Sequence, residues 1–279
     1  MQNIIRPAGM IGLSLVLLAG CLPSGPKPGG NSGQPVQVEA TPGQLVEIII
    51  DMSHDMDKYG DGIERHIYTD QLAQMGPTAL APLLDYMAAP DTDQTARLFI
   101  LQCVGIHLTP MYLPNLTPML ASEDQVVRAI GATALGSVDH EAVVPLLKQA
   151  RNDPQPRVAF SAMSSLAIHG DEEARSELRQ MYLDGATMGE IPVEHMNLEI
   201  VRALAAGAQP EDLPVLLDAL NQPYLEVNQR TAIVRALGRI GDKSAIPLLE
   251  QSIDLQTEPT YGQLVRDVIA AIEARGDRA

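Results

Sequence analysis

Cysteine, positive charge and long apolar runs are all scarce in this chain, and each shortage removes a class of protein. The 279 residues contain 2 cysteines, Cys21 and Cys103. If Cys21 is used elsewhere, no internal disulfide can brace the fold and packing must hold it. Lys and Arg number 19 against 35 Asp and Glu, which argues against nucleic acid or anionic lipid as the main partner, because both are held by clustered cations. The apolar run Ala8 to Ala19 is too short to span a bilayer. No glycine-rich phosphate loop follows a strand, and no local Ser/His/Asp hydrolase signature stands out.

What is there begins at the amino terminus. Arg6, the run Ala8 to Ala19 and the small residues before Cys21 read as an export signal over residues 1–20. Leu18-Ala19-Gly20-Cys21 resembles the lipobox of bacterial lipoproteins. That resemblance implies cleavage before Cys21, a diacylglycerol on its sulfur and attachment to the membrane through that lipid. The alternative is an ordinary secretory signal with a coincidental cysteine. Cutting there removes one of the 19 bases, Arg6, and none of the 35 acids, leaving 18 against 35 and a net charge of −17. Residues 21–44, rich in Pro, Gly and Ser, have almost nothing apolar to bury and are expected to form a flexible tether, with a root-mean-square reach of about 25 Å. Leu22, rather than Asp, after the lipidated cysteine resembles outer-membrane sorting. The expected location is therefore the bacterial envelope, facing the periplasm if two membranes are present.

Residues 45–279 repeat. Leu135 and Leu237 each have an Arg seven residues earlier, Arg128 and Arg230, and Pro-Leu-Leu beginning ten later, at Pro145 and Pro247. The same frame sets anchors at Leu72, Val104, Leu135, Leu166, Leu204, Leu237 and Ile272, separated by 32, 31, 31, 38, 33 and 35 residues. A period in the thirties predicts stacked helix pairs. Ten after the anchor stand Pro82, Pro114, Pro145, Ser176, Pro214 and Pro247, where proline suits the first turn of a second helix. Twelve after it Leu recurs, from Leu84 to Leu249, as the inward position of that helix. Small residues flank most anchors, including Cys103, Gly136 and Gly238, and should let helices approach closely. Acids four before the Arg column, at Asp61, Asp93, Asp124 and Glu226, are expected to favour helix starts and to pair with Arg65, Arg97, Arg128 and Arg230. Ser122 and Gln125 fit a capping box, as do Asp61 and Glu64. Pro118, four after Pro114, should delay or kink its helix near Thr117. The long interval after Leu166 places an insertion around Asp184 to Pro192.

Arg-x-x-x-x-Ala-Leu-Gly-x-Ile-Gly-Asp-x-x-Ala-Ile-Pro-Leu-Leu, complete in Arg230 to Leu249, resembles the HEAT repeat, particularly the short bacterial form shared with phycobilin lyases. The resemblance spans roughly residues 60 to 277. It implies an all-α, right-handed α-solenoid of about six helix pairs, with an N-terminal cap from Gln44 to Met56 and a C-terminal half repeat.

Function is less legible. Some HEAT-like enzymes, the deoxyhypusine hydroxylases, hold iron through His-Glu dyads, but here only His140-Glu141 has that order and Glu194-His195 is reversed. Those residues, and the acids of Asp51 to Glu64 read as a calcium loop, give no complete ligand set: a loop begun at Asp57 puts Tyr68 where a bidentate Glu belongs. No metal or other cofactor is expected. Cys103 reads as packing. If second helices line the concave face, as in HEAT solenoids, positions fourteen and fifteen after each anchor supply a binding strip containing Tyr86, Met87, Met119, Gln149, Gln180 and Met181; the alternative for its methionines is core packing. The leading expectation is a lipid-anchored, non-catalytic scaffold for another envelope protein or peptide. A lyase-like or other auxiliary enzyme and a calcium-responsive module are the alternatives.

Overall fold

A computed structural model describes residues 41–54, 71, 72, 74–189, 191–223, 225–254 and 259–276. The signal, Cys21, nearly all of the tether, the segment Asp55 to Asp70 and the Asp61–Arg65 pair lie outside the described residues. Among those described, every regular element is helical. α1 (Pro42–His54) precedes the repeats. Ile48, Ile49 and Ile50 lie within it, and Leu45, Ile49 and Met52 fall on its buried side.

The second helix of the first repeat is α2 (Pro77–Ala88). The next repeat pairs α3 (Gln94–Val104) with α4 (Leu113–Leu116), which passes into a 3-10 turn at Thr117–Ala121. That change falls where Pro118 removes an N–H from the helical ladder. Then follow α5 (Gln125–Leu135) with α6 (Val143–Ala150), and α7 (Pro156–Ile168) with α8 (Glu172–Asp184). α9 (Val193–Ala206) pairs with α10 (Leu213–Leu220), and α11 (Val227–Ile240) with α12 (Ile246–Asp254). α13 (Pro259–Gly276) completes the half repeat. Successive first helices pack on one another, α5 on α7, α7 on α9, α9 on α11 and α11 on α13, while α5, α7 and α9 also contact their own second helices. The chain is an α-solenoid.

The sequence frame maps onto burial. All seven anchors, from Leu72 to Ile272, are 0% exposed, and so are the six leucines twelve residues later. The small column works by contact: a Cβ on Gly136 would lie 2.5 Å from the Ser165 hydroxyl, and one on Gly238 3.0 Å from Val268. Cys103 is buried in the same packing.

The acidic column behaves otherwise than its spacing suggests. Asp93 caps α3, accepting from the Ala96 N–H at 2.9 Å. Arg97 reaches instead into the next repeat, to Asp124 at 2.7 Å. Asp124, not Ser122, caps α5 by accepting from the Val126 N–H at 2.8 Å. Arg128 in turn grips Asp153 through two bonds of 2.7 and 3.1 Å. A capping carboxylate already faces its own helix start, so it meets the guanidinium that arrives from the preceding repeat rather than the one a turn further on. Glu226 meets Arg230 through the backbone instead, its carbonyl accepting the Arg230 N–H at 3.0 Å, and its own N–H donates to Gln229 at 2.9 Å.

Candidate functional site

The exposed face of the solenoid follows from the same repeat. Positions ten after the anchor, Pro82 through Pro247, are all exposed, and so are Pro118, Gln149, Gln180, Asp218 and Gln251 at fourteen, with Tyr86 half-buried. One residue further, the side chains turn inward. Met87 is 0% and Met119 2% exposed, which corrects the expectation that both belong to an accessible strip. Both methionines belong to the continuous hydrophobic core, filling space between packed helices. Met181 is half-buried against the core. The surface that remains from the predicted strip is Tyr86, Gln149, Gln180 and part of Met181.

These residues are spread along the stack, and the structure joins them to separate partners. The Tyr86 hydroxyl lies 3.0 Å from His54 Nε2 on α1, and the other His54 nitrogen is 3.4 Å from Asp93. Gln180 donates to Asp184 at 2.7 Å. Tyr182 donates to Asp218 at 2.8 Å, linking α8 to α10.

One concavity on this face has walls from two repeats. It is a cleft of about 430 Å³ between the C-terminal end of α2 and the α4 and 3-10 segment. Asp85, Ala88 and Ala89 line one side, and Pro114, Asn115, Pro118, Met119 and Ser122 the other, with Val127 behind. Asn115 donates to Asp85 at 3.0 Å. The positional reading of the sequence picked out Tyr86, Met87, Pro118 and Met119 around this place but missed Asp85 and Asn115, whose signal is visible only once the two helices are side by side.

Elsewhere, buried charge serves the helix ends. Arg230, 2% exposed, donates to the Leu220, Gln222 and Leu225 carbonyls at 2.7, 2.6 and 3.3 Å. Arg97 does the same for Met87 and Ala89 at 3.1 and 2.8 Å. The Arg column is thus a C-cap supplied in trans by the following helix, satisfying carbonyls that a helix leaves over. At the fourth repeat Ala159 replaces that Arg, and a buried pair the sequence did not reveal serves a different junction, between the fourth and fifth repeats. Arg175 on α8 binds the Ala167 and Leu204 carbonyls at 2.9 and 3.0 Å and the buried Asp212. Arg179 holds the other Asp212 oxygen at 2.9 Å.

The Arg128 guanidinium beside Asp153 holds its carboxyl below the usual carboxylate range. Burial pushes the Tyr112 phenol up. His140 accepts the Ala142 N–H on Nδ1 at 3.2 Å, the task that Asp171 and Asp242 perform at their own turns. Among the described residues no group of three or more His, Cys, Asp or Glu side chains gathers as metal ligands, and no helix is long and apolar enough to cross a membrane.

Stacked helix pairs with this register define a helical-repeat protein. Residues 113–187 match the family model of HEAT repeats, and residues 229–254 that of the PBS lyase HEAT-like repeat. The chain is a HEAT-repeat protein. No curated protein matches it by sequence. Among solved structures it is similar to the complex of CpcE and CpcF of phycocyanin lyase from Nostoc sp. PCC7120, with 15% identity over 90% of this chain and 100% of that one and a TM-score of 0.46. Escherichia coli YibA shows 19% identity over 81% and 82%, with a TM-score of 0.40. Human deoxyhypusine hydroxylase in complex with glycerol shows 18% over 84% and 97%, with a TM-score of 0.37.

One expectation is corrected here. The sequence reading excluded enzymatic activity because catalytic groups are not clustered. The match of residues 229–254 to the PBS lyase HEAT-like repeat overturns that exclusion. Fold and repeat do not by themselves fix activity.

Proposed function

We propose that this protein is a lipid-anchored envelope component whose solenoid holds another envelope protein or peptide on the exposed face of its second helices. The observation that carries this reading is the continuity of that face: the proline and amide columns are exposed from repeat to repeat, while core burial is complete behind them. Anchorage follows from the resemblance at Leu18 to Cys21. With an acyl chain on Cys21 and a tether after it, the solenoid would stand in the periplasm at the outer membrane of a two-membrane host. The test is photo-crosslinking in the native envelope from benzoyl-phenylalanine placed at Gln149 and Gln180, in the parent and in Cys21→Ser. A discrete adduct that is lost when the chain is released from the membrane fraction supports the reading. Absence of any adduct from either position, with the chain still anchored, refutes it.

A second reading rests on the match at residues 229–254: a lyase-like auxiliary that presents a chromophore or acceptor protein. Incubating the purified chain with a bilin and an acceptor, and following covalent attachment, separates the two. Transfer above the rate without the chain favours this second reading.

A further inference from the structure

Thirteen after the anchor, two second helices carry a base that meets an acid of the next repeat, whereas Thr117, Leu217 and Glu250 stand there in three others. Lys148 meets Asp171 of the next repeat at 3.0 Å, and Arg179 meets Asp212 of the next at 2.9 Å. In the first repeat the sign is reversed. Asp85 occupies that position, and the following repeat offers it the uncharged Asn115 at 3.0 Å. Asp85 is the single charged side chain lining the cleft between α2 and the α4 and 3-10 segment, so its charge is left uncompensated there. A further feature makes the cleft electronegative: one side of it is the C-terminal end of α2, at Ala88 and Ala89, where the backbone dipoles leave partial negative charge. Apart from Asn115 and Ser122 the remaining walls are apolar, among them Ala88, Pro114, Pro118 and Met119.

An apolar slot with an acceptor-rich end suits a long aliphatic stem carrying a cationic head. We propose that this cleft is the socket for an Arg or Lys side chain of the protein segment that the solenoid holds. The proposal rests on the protein-binding reading above and names its partner's chemistry: a basic residue in an extended segment, giving Asp85 the kind of cross-repeat ion pair that Lys148 and Arg179 make within the chain. The charge balance of the whole chain, 19 bases against 35 acids, draws the same class of partner.

The test uses the full chain in detergent with methionine methyls labelled with carbon-13, titrated with the blocked pentapeptide Ac-Ala-Pro-Arg-Pro-Ala-NH2 and with the same peptide carrying citrulline, a neutral isostere of Arg. The arginine peptide should shift the Met119 methyl signal saturably, with a Kd on the order of 1 mM for a single anchoring side chain, while Met163 and Met196 in the core of other repeats stay still. The citrulline peptide and the exposed-site variant Asp85→Asn should each weaken binding by about tenfold. A second variant, Asp85→Lys, should lose the arginine peptide and take its glutamate counterpart. Equal shifts with arginine and citrulline, an unchanged Kd in Asp85→Asn, or no saturable shift below about 10 mM would overturn the socket. Tighter binding of free spermidine than of the arginine peptide would overturn the assignment to a protein partner. If the titration fails while crosslinks from Gln149 and Gln180 persist, the socket falls and the protein-binding reading stands.

Discussion

Replacing Arg230 by Met tests whether a helix end in this solenoid is held by a cation from the following helix. The guanidinium donates to three carbonyls around the end of α10, at 2.6, 2.7 and 3.3 Å, and is 2% exposed. A hydrogen bond from a charged donor contributes roughly 1.5–3 kcal/mol net. The bond at 3.3 Å is weak, and the partly exposed Gln222 carbonyl can rehydrate. Met also keeps most of the stem packing. The expected loss is therefore about 2–4 kcal/mol. For a domain of this size about 1 kcal/mol moves Tm by roughly 2–4 °C, so Tm should fall by about 5–15 °C in circular dichroism at 222 nm. Hydrogen exchange should speed up first at the end of α10 and the start of α11, because each repeat is stabilised by its immediate neighbours. Arg230→Lys should recover only part of the loss, since an ammonium cannot span three carbonyls as a planar fork does. A Tm within about 2 °C of the parent, with exchange at that junction unchanged, would refute the trans-capping account.

Gly136→Val should lose about 1–3 kcal/mol by overpacking, because a Cβ there would meet Ser165 at 2.5 Å; a companion Ser165→Ala should recover part of it in the same melting assay. Asp212→Ala should cost about 3–5 kcal/mol, since it leaves Arg175 buried with no counter-ion, and a loss under about 1 kcal/mol in urea denaturation would show that water reaches the site. For Asp153 the pH dependence has a definite sign: its folded carboxyl titrates below the usual value, so its contribution is complete above about pH 4 and is lost as pH falls through the lowered value. The stability gap between parent and Asp153→Asn should then be constant from pH 7 to about pH 5 and shrink toward pH 3; a gap that grows on acidification would contradict the Arg128 contact.

The periodicity of Leu, Pro and small residues determined the solenoid without help, because a repeat can bury its apolar edge only against its neighbours and the same columns must recur. Anchors, second-helix leucines, the Pro118 disruption and the packing of Cys103 were all legible in that way. Tertiary structure decided the partners of the charged residues. Arg97 and Arg128 lie a turn from Asp93 and Asp124, yet they bind carboxylates and carbonyls some 25 residues away or at the preceding helix end, since sequence distance says nothing about which helix end lies across a repeat boundary. The Arg175–Asp212 pair is 37 residues apart and has no periodic signal at all. The candidate surface divides likewise: exposure of Gln149 and Gln180 follows from helical phase, whereas the burial of Met87 and Met119 and the uncompensated charge of Asp85 depend on how closely α2 and the segment after α4 are laid together.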